Sequence, residues 1–84
     1  MTASNNNYNP VHHQRLDACH LSCPLPLLQA KQALAQMQTG EVLWVLATDP
    51  GSWQDFASFA ELSAHTLLER QQLGDTYHFL MSKG

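Results

Sequence analysis

The spacing of apolar and polar positions changes period along the chain, and each change predicts an element. Over residues 15–18, Leu16 and Ala18 alternate with Arg15 and Asp17, the pattern of a brief strand with one buried face. From Leu27 to Met37 the period lengthens. Leu27, Ala30, Leu34 and Met37 fall on one side of a helix and Gln29, Lys31, Gln32 and Gln36 on the other, in residues that favour helix. Gly40 stands past its end, where a left-handed residue commonly stops a helix. The run from Glu41 to Ala47 is continuously apolar after its first residue and rich in β-formers, which predicts a central strand parallel to the first, with the helix as the connection. Asp49-Pro50 breaks that strand. Ser52 followed by Asp55 resembles a capping box, so a second helix is expected to start between residues 50 and 53, with Trp53, Phe56, Ala57 and Ala60 on its apolar face.

Beyond residue 60 the periodicity supports two readings. Ala64, Leu67 and Leu68 continue the helical spacing and allow one helix over 52–71, whereas Leu73-Gly74-Asp75 followed by Thr76 to Met81 reads as a turn entering a strand. A last strand needs a partner, and pairing His65–Gln72 with Thr76–Ser82 as a hairpin supplies one. The hairpin is therefore preferred, and the element order becomes β-α-β-α-β-β.

Length and charge narrow the classes of function. A chain of 84 residues holds one domain. Surface scaling at this size buries roughly 63% of the chain, a small core that leaves no room for an enclosed active-site cavity beside a separate binding domain. Lys and Arg number 4 against 7 Asp and Glu, and the basic residues are scattered. Direct nucleic-acid binding and a polybasic membrane contact are therefore not expected. The longest apolar runs, Val42–Ala47 and Phe79–Met81, fall far short of a membrane span. Residues 1–14 are rich in Asn, Ser, His and Gln and are expected to form a mobile tail preceding a single domain over 15–84. The first nine residues, MTASNNNYN, lack the charged flank and apolar stretch of a secretory signal, so a cytoplasmic location is expected.

Two cysteines, Cys19 and Cys23, do not make a disulfide framework, and in a reducing compartment a close pair points to redox, metal or nucleophilic chemistry. Proline is favoured at the first helical position, so Pro24 makes Cys23 the expected N-cap of the first helix, its sulfur beside the positive end of the helix dipole. Such a site lowers a thiol pKa and makes a nucleophile. Pro26, also without a backbone donor, leaves the Leu25 N–H as the first-turn amide expected to point at the Cys23 sulfur. Cys19, four residues earlier, is read as a small buried hydrophobe or a second thiol.

Leu16-Asp17 followed by Cys23-Pro24-Leu25-Pro26 opening a helix, with Gly40-Glu41 and Asp49-Pro50 further on, resembles the TusA/SirA-like family of small sulfur-carrier proteins over about residues 15–83. The resemblance implies a two-layer α/β (α+β) sandwich: a four-stranded mixed sheet with two helices on one face. It further implies a sulfurtransferase acting as a carrier, in which Cys23 accepts sulfane sulfur as a persulfide from a donor such as a cysteine desulfurase and relays it to an acceptor protein. In the family this sulfur can feed tRNA thiolation, and relatives are linked to other sulfur or selenium pathways. Two departures stand out. His20 occupies the place of a family glycine and must adopt a positive φ or reshape the loop, and Ser22 and Leu25 replace charged residues, leaving an uncharged collar around the sulfur.

The same residues allow two other uses. His12, His13, Cys19, His20 and Cys23 contain enough ligands for zinc, and Cys19 placed near Cys23 would serve as the resolving thiol of a redox switch. His65 and His78 are read as strand-surface imidazoles, and Asp17 and Asp55 as loop and cap hydrogen-bond acceptors. Trp44, Trp53, Phe56 and Phe59 are read as core rather than a cofactor box, and neither a cofactor nor a resident metal is expected.

Overall fold

A computed structural model of the chain describes residues 8–84. The elements run β1 (Gln14–Ala18), α1 (Leu25–Ala35), β2 (Val42–Ala47), α2 (Gly51–Glu61), β3 (Thr66–Leu73) and β4 (Thr76–Ser82). They build one four-stranded sheet in the order β1-β2-β4-β3. β1 pairs parallel to β2 from Gln14 opposite Leu43 to Ala18 opposite Ala47, and β4 is antiparallel to both of its neighbours. The result is the α+β arrangement expected from the element order. β3 and β4 close as a hairpin through Gly74-Asp75, and Gly74 takes the left-handed backbone (φ 64°) that a two-residue turn requires. The reading of one helix over 52–71 is thereby excluded.

Both helices cover the same face. Ala30, Leu34 and Met37, carried on α1 and just beyond its end, and Phe56 from α2 pack on Leu43, Val45 and Ala47 of β2 and on Phe79 and Met81 of β4. The Phe56 and Phe79 rings stack 4.3 Å apart and 10° from parallel. Each is fully buried and contributes about 1.5–3 kcal/mol of burial free energy. Lys83 ties the chain end to this layer by donating from Nζ to the Leu34 carbonyl near the end of α1, at 2.8 Å.

The other residues of the apolar run in β2 point to the opposite face, where Trp44, Leu46 and Leu80 form a second cluster with Tyr8, Cys19 and Val42 packed on it. The mobile tail expected over residues 1–14 lies, for residues 1–7, outside the described residues. Residues 8–13 approach this face: the Tyr8 and His12 rings meet Trp44 edge-on at 5.9 and 5.0 Å, and His13 pairs with Val42 through its backbone N–H and its Nδ1. His78, read from sequence as a strand-surface imidazole, is instead buried on this face and accepts the Trp44 indole N–H at Nδ1, 3.0 Å away. A large neighbouring ring hides it, and alternation along β4 carries no sign of that ring.

Candidate functional site around Cys23

The loop from β1 to α1 and the loop from β2 to α2 meet at one end of the sheet, beyond the carboxyl ends of two adjacent parallel strands, where open α/β sheets commonly place their chemistry. The first loop is built from short polar ties. Asp17 accepts the Cys19 N–H at Oδ1, which holds the Asp17 carboxyl below its usual range, as its reading as a loop acceptor required. His20 adopts the positive φ (71°) that its place in a glycine position demands, and its N–H donates to Thr48 Oγ1 at 2.9 Å, fastening the loop to the end of β2.

The start of α1 differs from the expectation. Pro24, not Cys23, is the N-cap, Leu25 is the first helical residue and Pro26, fully buried, is the second. The Cys23-Pro24 peptide is cis. The Leu25 N–H, expected to face the sulfur, donates to the Ser22 carbonyl at 2.8 Å. The reason is local: a tight turn over residues 22–25 takes up the donor before the helix begins.

The sulfur meets a carboxylate instead. Cys23 is exposed, and its Sγ–H donates to Asp55 Oδ2 of α2 at 2.7 Å. That hydrogen bond first, then desolvation, and after them the negative charges of Asp55 and Asp49 raise the thiol pKa above its ordinary value, the reverse of the lowering expected from the helix dipole. A carboxylate in contact outweighs a half-charge that lies beyond an intervening N-cap residue. Asp55 therefore does not cap α2. Pro50 is its N-cap, no side chain caps the helix, Ser52 is buried, and the nearest substitute is Asp49, whose Oδ2 accepts the Gly51 N–H at 2.9 Å. Gly51 matters sterically, since a Cβ there would stand 3.3 Å from the Cys23 Cβ and 3.5 Å from its Sγ. Helical spacing is the signal that sequence reading overlooked: Gly51 and Asp55 are one turn apart, so the residue small enough to admit the cysteine and the carboxylate that touches it share a helix face.

The remaining candidate ligands are not gathered here. Cys19 packs against the Trp44–Leu46–Leu80 cluster, and burial, with Asp17 as hydrogen-bond partner, pushes its thiol up to about 11. His12 and His13 lie along the sheet at Trp44 and Val42. Among the described residues no group of three or more His, Cys, Asp or Glu side chains is placed to hold a metal ion, which removes the zinc reading of His12, His13, Cys19, His20 and Cys23 as one site. No helix among the described residues is long and apolar enough to cross a membrane. Beside the cysteine, Leu25 and Leu28 are each 45% exposed, and a surface groove of about 430 Å³ between the helices runs from Asp55 past Leu27, Phe59 and Leu62.

This geometry has relatives. The chain is 50% identical over 70 residues, 83% of its length and 92% of the other's, to the sulfur carrier protein TusA of Allochromatium vinosum. A Bacillus subtilis relative is 38% identical over 69 residues, covering 82% of this chain and 92% of that one. The crystal structure of a SirA-like protein from Desulfitobacterium hafniense superposes with a TM-score of 0.75 at 27% identity, covering 86% of this chain and 99% of that one. The profile of the family described as sulfurtransferase TusA matches residues 14–83, essentially the whole described sheet and helix layer, and the chain belongs to that family.

Proposed function

We propose that this chain is a sulfur carrier whose cargo is held as a persulfide on Cys23, taken from a donor such as a cysteine desulfurase and given up to an acceptor protein. One observation carries the reading: the exposed thiol of Cys23, in Cys-Pro-Leu-Pro, stands where the first turns of two helices converge, open to a protein partner rather than enclosed in a pocket. A carrier needs that exposure because both exchanges are attacks of one protein's thiol on another's persulfide. Leu25 and Leu28 give the sulfur an apolar shoulder that tolerates two different partner surfaces, since uncharged groups impose less strict pairing than buried ions. Pro24, Leu25 and Pro26 serve by fixing where the helix starts and hence where the sulfur is presented. A free thiol with this task belongs in a reducing, cytoplasmic setting.

Incubation with a cysteine desulfurase and cysteine, followed by intact-mass measurement, tests the assignment. An adduct of one sulfur should form on the wild type and on Cys19→Ala and be absent from Cys23→Ala. Full loading of Cys23→Ala would move the role to Cys19 and overturn it.

A further inference from the structure

We propose that Asp55 is the proton acceptor for Cys23 in each sulfur transfer, an inference that rests on the persulfide-carrier reading above. The placement is unusual for a reactive cysteine. Proteins that sharpen a thiol normally set it beside a cation or a free helix N-terminus, and here the contact is an anion. An anion in contact opposes a standing thiolate but is well placed to receive a proton at the moment of attack. The Sγ–Oδ2 separation of 2.7 Å leaves no space for an intervening water, so the proton passes directly.

Of the two carboxylates at the site, Asp49 is engaged with the Gly51 N–H through the same Oδ2 that would face a side chain at position 51. Asp55 holds the thiol itself. Among the described residues, the cation lining the adjoining groove is Lys31 of α1, whose Nζ lies over the Phe59 ring, 5.3 Å from the centroid. The charged groups acting on the sulfur are thus Asp55 from α2, in contact with it, and Asp49 from the loop, while Lys31 from α1 lies out along the groove. Both carboxylates hold the resting thiol protonated, which protects it from indiscriminate oxidation between encounters.

The loading step balances without an oxidant. As the Cys23 sulfur gives its proton to Asp55 Oδ2, its electron pair forms a bond to the outer sulfur of the donor's persulfide. The donor's S–S bond breaks, its pair leaves on the inner sulfur as a thiolate, and that thiolate takes the proton from Asp55. One thiol and one persulfide become one persulfide and one thiol. Delivery runs the same path in reverse: the acceptor thiol gives its proton to Asp55 as its sulfur attacks the outer sulfur held on Cys23, the Cys23 S–S bond breaks, and Asp55 passes that proton to the departing Cys23 thiolate.

The test exploits opposite signs. In a Cys19→Ala background, Asp55→Asn removes the negative charge and the acceptor, so iodoacetamide alkylation at neutral pH should become faster as the thiol pKa falls. Single-turnover sulfur loading at saturating persulfide-charged desulfurase should become about a hundredfold slower, the usual scale of lost proton transfer. Asp55→Glu should recover much of the loading rate and most of the raised thiol pKa. If the carboxylate acted only as an electrostatic brake, its removal would make both reactions faster, and loading of Asp55→Asn at or above the wild-type rate would overturn the proposal. Unchanged alkylation in Asp55→Asn would overturn it too, by showing that the contact does not exist in solution. Failure of the wild type itself to load would refute the carrier reading instead, a separate outcome.

Discussion

The face of the sheet beneath the helices and the face turned away from them are both apolar at their centres, yet they are closed by different means. Under the helices, nine buried residues from four elements and the turn after α1 interlock, and the stacked Phe56–Phe79 pair sits among them. On the other face no helix among the described residues lies over Trp44, Leu46 and Leu80, which keep 7–9% of their surface exposed. Groups with polar tips shield them: the rings of Tyr8 and His12, the imidazole of His78, and the Arg15 guanidinium 5.3 Å from the Trp44 ring centre. Such groups bury an apolar body while keeping a hydrogen-bonding or charged end. The two cysteines divide the same way. Cys19 packs into the open-face cluster and its thiol rises to about 11 through burial, whereas Cys23 belongs to the helix side and is governed by Asp55. Three residues of chain separate a structural thiol from an exposed one.

The difference is sharpest in what each face contributes to stability. Phe56→Ala leaves a void between α2 and Phe79 that the helix layer fills only in part, and should cost about 3–5 kcal/mol in urea unfolding. A loss below about 1 kcal/mol would mean that the helix-covered core does not dominate the fold.

The open face should respond to pH in a way the helix face does not. His78 is neutral when it accepts the Trp44 N–H at Nδ1, because a proton there would set two donors against each other. Burial first, and Arg15 second, lower its pKa from the ordinary 6.5. A histidine depressed in the folded state contributes stability that is fully present above its unfolded pKa. That contribution is lost as pH falls from about 6.5 through the folded value. Replacing the ring by His78→Phe leaves the indole N–H without its acceptor and should cost about 1–3 kcal/mol at pH 8. The variant's stability should then fall less steeply than the wild type's between pH 7 and 5, with the remaining slope due in part to His65, whose pKa is also lowered by burial and by Lys83. Equal slopes in the two proteins would remove His78 from the account.

How much of this was legible depends on whether the cause was local. The helix over 27–37, the strand over 41–47 and the hairpin at Gly74 follow from period, length and turn chemistry, all read within a few residues. The continuous run Val42-Leu43-Trp44-Val45-Leu46-Ala47 told that both faces would be covered and not what would cover the second, because a run without alternation has no outward side. Tyr8 and His12 sit in a segment whose composition speaks for solvent, and they pack through two rings rather than through a pattern. Position and chemistry also parted at Cys23. Its place before a proline-started helix was readable, but its contact lies 32 residues away and exists only because α1 and α2 lie side by side.

The smallest expected effect concerns the loop that separates the two cysteines. His20 holds a left-handed backbone, φ 71°, which costs an L-residue roughly 1–2 kcal/mol, somewhat less for histidine than for most. Its hydrogen bond to Thr48 comes from the backbone N–H, so a glycine keeps it. Against the relief of strain stands the larger conformational freedom of glycine in the unfolded chain, worth about 0.4–1 kcal/mol. The balance favours His20→Gly by about 0.5 kcal/mol, while His20→Ala, which keeps a Cβ in the same backbone region and is less at home there than histidine, should be destabilised. Because neither change touches Sγ or Asp55, sulfur loading on Cys23 should stay at the wild-type rate in His20→Gly. A glycine variant less stable than wild type, measured by thermal unfolding beside the alanine variant, would show that the imidazole earns its position through contacts of its own rather than occupying it under strain.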